Sequence, residues 1–254
     1  MTDQTRSVPT VALVHGAFAD SSSWTGVIEL LQRKNVPMVA VPNPLRGIKY
    51  DSAYVASRIS QIPGPVLAVA HSYGGAVISN AATQAKNVVG IVFVAAFATD
   101  EGEILGQVTP TSKDSVLNTA LVPLKYPKAD GSEAVEFAIN PAVAGEAFAG
   151  DVPPEQAAMI ATIQRPISEL AFSEASGPPA WKKLPSWSVV ATGDKAAGTD
   201  LVRSMAQRAG AKITEVKGSH VIMISQPQAV TDVILEALGA VSRELASAGA
   251  SSKG

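Results

Sequence analysis

The segment Val66-Leu67-Ala68-Val69-Ala70-His71-Ser72-Tyr73-Gly74-Gly75-Ala76-Val77 limits the fold more than any other part of this chain. An unbroken apolar run stops at a serine, and two glycines and a helix-forming stretch follow at once. Wholly apolar, β-rich runs are what strands buried on both faces of a parallel sheet require. Passing from strand to helix within a residue or two needs a turn so tight that its central residue is strained. The positions two before and two after the serine must be tiny, because two chain segments nearly touch there. Ala70 and Gly74 meet that need, the former as a mild departure from the usual glycine. Such a turn presents the serine oxygen at a helix N-terminus, where backbone N–H groups can stabilise a developing oxyanion. A serine beside glycines is otherwise only a turn residue, so its chemistry depends on finding a base and an acid.

Three histidines bound the choice of base. His15 ends the apolar run Val11–Val14, and His71 precedes the serine, so its side chain should point away from that of Ser72. Both are read as structural. His220 follows Gly218-Ser219 in a loop after the strand-like stretch 212–216, free to reach across strand ends, and is the base by elimination. Asp194 lies just past the end of the strand-like stretch 188–193 and is the preferred acid; it would accept the imidazole N–H and fix its tautomer. Asp100, which follows the strand-like stretch 91–95, competes for that role, and Asp200 is expected to cap the next helix. The order Ser72, Asp194, His220 favours Asp194, because Ser…Asp…His is one of the recurrent orders of such a triad. Two N–H groups are then expected to hold the oxyanion: that of Tyr73, after the serine, and that of Ala17, in the turn His15-Gly16-Ala17-Phe18. Ala17, Phe18 and Tyr73 are the expected substrate-contacting residues.

Together, Leu13-Val14-His15-Gly16-Ala17 with Trp24, His71-Ser72-Tyr73-Gly74-Gly75, Asp194 and Gly218-Ser219-His220 give the chain a family resemblance. It resembles the α/β-hydrolase superfamily over nearly its whole length. It looks most like small bacterial hydrolases related to plant methyl-ester esterases and hydroxynitrile lyases. The resemblance implies that Ser72 attacks an ester carbonyl, His220 shuttles the proton and Asp194 orients it. The lyases of that group carry a lysine directly after the histidine and a threonine after the first loop's histidine. Those positions are Val221 and Gly16 here, which disfavours cyanohydrin cleavage and favours acyl transfer to water.

Strands are expected near 10–15, 36–41, 66–70, 88–95, 187–192 and 212–216. Helices are expected near 23–34, 51–61, 76–85 and 226–246. This alternation implies an α/β fold with a doubly wound, mostly parallel sheet of about six strands, whose ligands bind at the carboxyl ends. Residues 1–99 and 186–254 form the core in this reading. Residues 100–185 break the pattern with many prolines, short helical pieces such as 154–164 and no convincing buried strand. They are read as a helical cap covering Ser72, with Leu121, Leu124, Phe137, Phe148, Met159, Phe172 and Trp181 as pocket or packing residues. The small, polar end 247–254 is expected to be a frayed, disordered tail.

The 254 residues suffice for a sizeable core. A formal net charge of −2 without a basic patch argues against nucleic acid or an anionic membrane surface. There is no cysteine, hence no disulfide or thiol chemistry, and three scattered histidines make a protein-held zinc ion unexpected. No dinucleotide or P-loop fingerprint is present, so no cofactor and no metal are expected. The polar N-terminus does not resemble a signal peptide, and no apolar run reaches the ~20 residues of a membrane span, so the expected location is the cytoplasm. The expected partner is a small-molecule substrate; a homodimer is left open. Three readings stand. The first is a serine hydrolase for a small, largely apolar carboxylic ester or lactone, with perhydrolysis as a side reaction. The second is a cofactor-free enzyme of the same fold, such as a dioxygenase or lyase. The third is a non-catalytic small-molecule receptor.

Overall fold

The computed structural model describes residues 8–251. Its strands are β1 (Thr10–Val14), β2 (Met38–Val41), β3 (Val66–His71), β4 (Val88–Val94), β5 (Leu121–Pro127), β6 (Glu133–Ile139), β7 (Ile167–Ser168), β8 (Ser186–Ala191) and β9 (Lys212–Val216). Six of them form one sheet in the order β2-β1-β3-β4-β8-β9, with every neighbouring pair parallel. The longer helices are α1 (Thr25–Arg33), α2 (Ile48–Ser60), α3 (Tyr73–Gln84), α4 (Pro154–Ile163), α5 (Thr199–Arg208) and α6 (Pro227–Ser251).

Successive side chains of a strand point to opposite faces, and the two cores follow that alternation. Val11, Leu13, Leu67 and Val69 pack with Val27 and Leu31 of α1 and Val230 and Ile234 of α6. Ala12, Val14, Ala68 and Ala70 pack on the other face with α2, α3 and α5. Burial on both faces explains why β3 is fully buried and apolar from Val66 to Ala70.

The chain runs from β1 outward to β2, then crosses back past β1 to β3. That reversal opens a crevice at the carboxyl ends of β1 and β3, where α/β sheets bind ligands. The register places Val14 opposite Ala70, so the next residues, His15-Gly16 and His71-Ser72, lie side by side.

Between β4 and β8 the chain builds a cap that is not wholly helical. It holds α4 and shorter helical turns, but also an antiparallel sheet in the order β5-β6-β7. The cap expected to be helical thus carries a small sheet as well. The sheet has no strong sequence signal, because β5 is an edge strand, exposed in part and carrying Pro123 and Pro127. An edge strand tolerates proline and needs no continuous apolar run. The sheet is pinned to the core where Arg46 Nη1 donates to Glu136 Oε2 at 2.7 Å and the guanidinium covers the Tyr126 ring. Ser168 N also donates to Leu45 O at 2.9 Å.

The C-terminus needs a correction. Residues 247–251 continue α6 as its last turn instead of forming a disordered tail. Residues 252–254 of the expected tail lie outside the described residues.

Candidate active site

Ser72 ends the turn between β3 and α3 with φ 53° and ψ −126°. A non-glycine residue there stores about 1–3 kcal/mol of strain and persists only where its surroundings impose it. Here the backbone is held from several sides. Ser72 N donates to Val94 O, while Gly75 N and Phe97 N both donate to Ser72 O. The close approach foreseen at Gly74 is present: a Cβ there would lie 2.9 Å from His15 O. Gly16 is equally constrained, since its Cβ would meet Ser72 Cβ at 2.6 Å and His71 O at 2.8 Å.

His220 Nε2 lies 2.8 Å from Ser72 Oγ, and His220 Nδ1 lies 2.8 Å from Asp194 Oδ2. All three residues are buried. The other oxygen, Asp194 Oδ1, accepts from Ala196 N and Ala197 N, each at 2.9 Å. Both carboxylate oxygens are thus engaged, so the side chain cannot rotate without losing partners. Asp194 reaches His220 because β8 and β9, which they follow, are sheet neighbours. The competing Asp100 is not brought to the imidazole; it pairs with Lys182 Nζ at 2.5 Å. Asp200 lies within the first turn of α5, whose N-cap is Gly198. It ties the cap to the core by accepting from Ser112 Oγ and Lys113 N.

The other histidines brace this arrangement. His15 Nδ1 lies 2.9 Å from Gly16 O, and its Nε2 accepts from Asn43 N at 3.0 Å. That pattern needs a neutral ring, and burial pushes its pKa from 6.5 down to about 4. His71 is buried, and burial and the neighbouring His220 push its pKa well below the usual value. Its Nε2 lies 2.9 Å from His220 O, so a neutral ring protonated there anchors the backbone of His220.

Two supports were not legible in the sequence. Ser219 Oγ donates a short hydrogen bond to Asp151 of the cap, beside His220. A Cβ at Gly218 would strike that carboxylate at 2.5 Å, which gives the preceding glycine its reason. On the other side, buried Asp51 accepts from Arg46 N, Gly47 N and Tyr73 Oη, the last at 2.7 Å. Burial holds the Asp51 carboxyl above its usual range and the Tyr73 hydroxyl well above its own. The side chain of Tyr73 is thereby tied to the loop that leads into α2.

Tyr73 is the first residue of α3, so its N–H has no acceptor within the helix. Ala17, Phe18 and Tyr73 all line a cavity over Ser72 and His220, closed by cap residues including Leu117, Phe148 and Phe172. The cavity measures about 20 Å³, little more than one water needs. Of the cap residues proposed for this wall, Phe148 and Phe172 reach it. Leu105 and Leu117 also do and were not foreseen. Leu124 and Met159 are exposed, and Trp181 is buried in packing, its Nε1 donating to Thr99 O at 3.0 Å. No group of three or more acidic or imidazole side chains able to hold a metal ion occurs among the described residues.

Over residues 11–233 the chain matches the alpha/beta hydrolase family, and it belongs to that family. Its fold is similar to that of polyneuridine aldehyde esterase, with a TM-score of 0.77 and 18% identity over 91% of this chain and 99% of that one. A methylesterase protein from Arabidopsis is similar at a TM-score of 0.74 and 17% identity, over 91% and 99% of the two chains. A pyrethroid hydrolase gives 0.70 and 19%, over 93% and 99%. No curated protein matches the sequence. Among the described residues no helix is long and apolar enough to cross a membrane.

Proposed function

We propose that this protein is a serine hydrolase acting on an uncharged, largely apolar carboxylic ester or lactone. The observation that carries the reading is the continuous hydrogen-bonded relay from Ser72 Oγ through His220 to Asp194, with both links at 2.8 Å. Ser72 Oγ attacks the carbonyl carbon as His220 Nε2 takes its proton. Asp194 holds the proton on Nδ1 and stabilises the imidazolium. The Ala17 and Tyr73 N–H groups receive the oxyanion. Collapse of the tetrahedral species breaks the bond to the leaving alkoxide, and His220 returns the proton to it. Water then attacks the acyl-enzyme by the same steps and frees Ser72. Apart from Ser72 and His220 the cavity is walled by apolar or aromatic side chains, with no cation to hold a carboxylate, which supports an uncharged substrate. Val221 and Gly16 support hydrolysis over cyanohydrin cleavage. The ester-hydrolysing neighbours agree with this reading at the level of fold.

The test is hydrolysis of p-nitrophenyl acetate by the wild type and by Ser72→Ala. The variant should lose on the order of 10⁴–10⁶-fold in kcat. Equal rates, or no turnover by either, would sink the esterase reading and direct attention to oxygen uptake and to ligand binding without turnover.

A further inference from the structure

The cavity over Ser72 has room for about one water and not for an ester. Immediately beyond it lies a groove of about 520 Å³ between α1 and the cap helix α4, within the size range of small-molecule sites. Phe18 and Phe148 line both spaces. Their rings meet edge to face with centroids 6.1 Å apart, and the Phe148 ring lies 5.1 Å from that of His220. Val221, next to His220 in sequence, also borders the groove. The two aromatic rings thus form a thin partition between the reacting atoms and a much larger apolar space. Phe18 is held at φ 58°, a conformation that non-glycine residues adopt at a cost and that often marks a constrained functional position.

From this juxtaposition we infer that the groove is the subsite for the extended apolar half of the substrate, which reaches Ser72 by displacing the Phe18–Phe148 partition. The inference rests on the esterase reading above and adds the substrate's shape. One half of the ester is small enough to sit by Ser72; the other is long, apolar and uncharged. The groove's outer wall is built for such a chain. Met159 and Ile163 of α4 are 53% and 50% exposed and face it. Large apolar side chains left open along one wall signal a ligand more than an isolated exposed residue does. The charged side chains among its lining residues are Asp20 and Glu29, with no lysine or arginine. A terminal carboxylate is therefore repelled and an uncharged chain accepted.

The test compares methyl octanoate, the anionic monomethyl ester of octanedioic acid, and methyl acetate, by kcat/KM in a pH-stat. The wild type should prefer the octanoate over the acetate at least tenfold and reject the anionic ester. Ile163→Glu places a carboxylate against the bound chain and should lower the octanoate-to-acetate ratio about tenfold. Leu170→Glu, on an equally exposed cap residue outside the groove, should leave that ratio unchanged. Affinity for methyl octanoate is measured in parallel by calorimetry on Ser72→Ala with and without Ile163→Glu. A ratio and an affinity both indifferent to Ile163→Glu would overturn the groove while leaving the esterase reading intact. Octanoate binding that weakens about tenfold with Ile163→Glu, without turnover of any ester by the wild type, would uphold the groove and refute the esterase reading.

Discussion

Replacing Asp194 by Asn should nearly abolish catalysis while leaving the fold unchanged, and the direction follows from which atoms surround the carboxylate. Oδ1 accepts from Ala196 N and Ala197 N at 2.9 Å each. An asparagine can satisfy both donors only by turning its amide oxygen toward them. Its NH2 then faces His220 Nδ1, which in the native enzyme lies 2.8 Å from Oδ2. Nδ1 must become an acceptor, so the ring proton moves to Nε2 and points at Ser72 Oγ. A protonated Nε2 cannot take the serine's proton. The opposite amide orientation would strand two buried N–H groups at about 1–3 kcal/mol each, so the wrong tautomer wins. The expected loss is about 10⁴-fold in kcat, or about 5 kcal/mol of barrier. The assay is p-nitrophenyl acetate turnover, with thermal melting to show that the variant is folded. Asp100→Asn, which breaks only a partly exposed pair with Lys182, should stay close to wild type. An Asp194→Asn enzyme within tenfold of wild type, or a more damaging Asp100→Asn, would refute the reasoning.

Acid should unfold the protein partly through His15. Burial depresses its pKa from 6.5 to about 4, so on acidification the unfolded chain takes up the proton first. The corresponding stability is whole above pH 6.5 and is lost as pH falls toward 4, to a total of about 3 kcal/mol. Urea midpoints between pH 7.5 and 4.5 should fall less steeply for His15→Gln than for wild type; parallel slopes would exclude this source. Gly16→Ala forces a methyl against Ser72 Cβ and the His71 carbonyl, neither of which can retreat. It should cost about 1–3 kcal/mol of stability in chemical denaturation and lower kcat by displacing Ser72. Gly145→Ala, whose added methyl meets only Ala157 Cβ at 3.8 Å, lies in a short helical turn and should leave kcat unchanged while raising stability by about 0.5–1 kcal/mol.

Local features of the chain determined the sheet strands and the serine turn. Unbroken apolar runs mark strands buried on both faces, and Gly74 marks where β3 and α3 must approach β1. These features depend on residues adjacent in sequence, so they could be read without coordinates. The β5–β6 hairpin was less legible, because a partly exposed edge needs no apolar run. Other decisions belonged to the tertiary structure alone. Asp100 and Asp194 each follow a strand end, and only the turn of the chain after β4 sends the former to Lys182. Asp51 under Tyr73 and Asp151 under Ser219 are contacts between distant segments, invisible in local patterns. The partition of Phe18 and Phe148 joins a core loop to the cap. Sequence by itself determined which backbone shapes the chain takes and the order of Ser72, Asp194 and His220. The packing of sheet, loops and cap decided which side chains meet, because contact and burial depend on where separate elements come to rest.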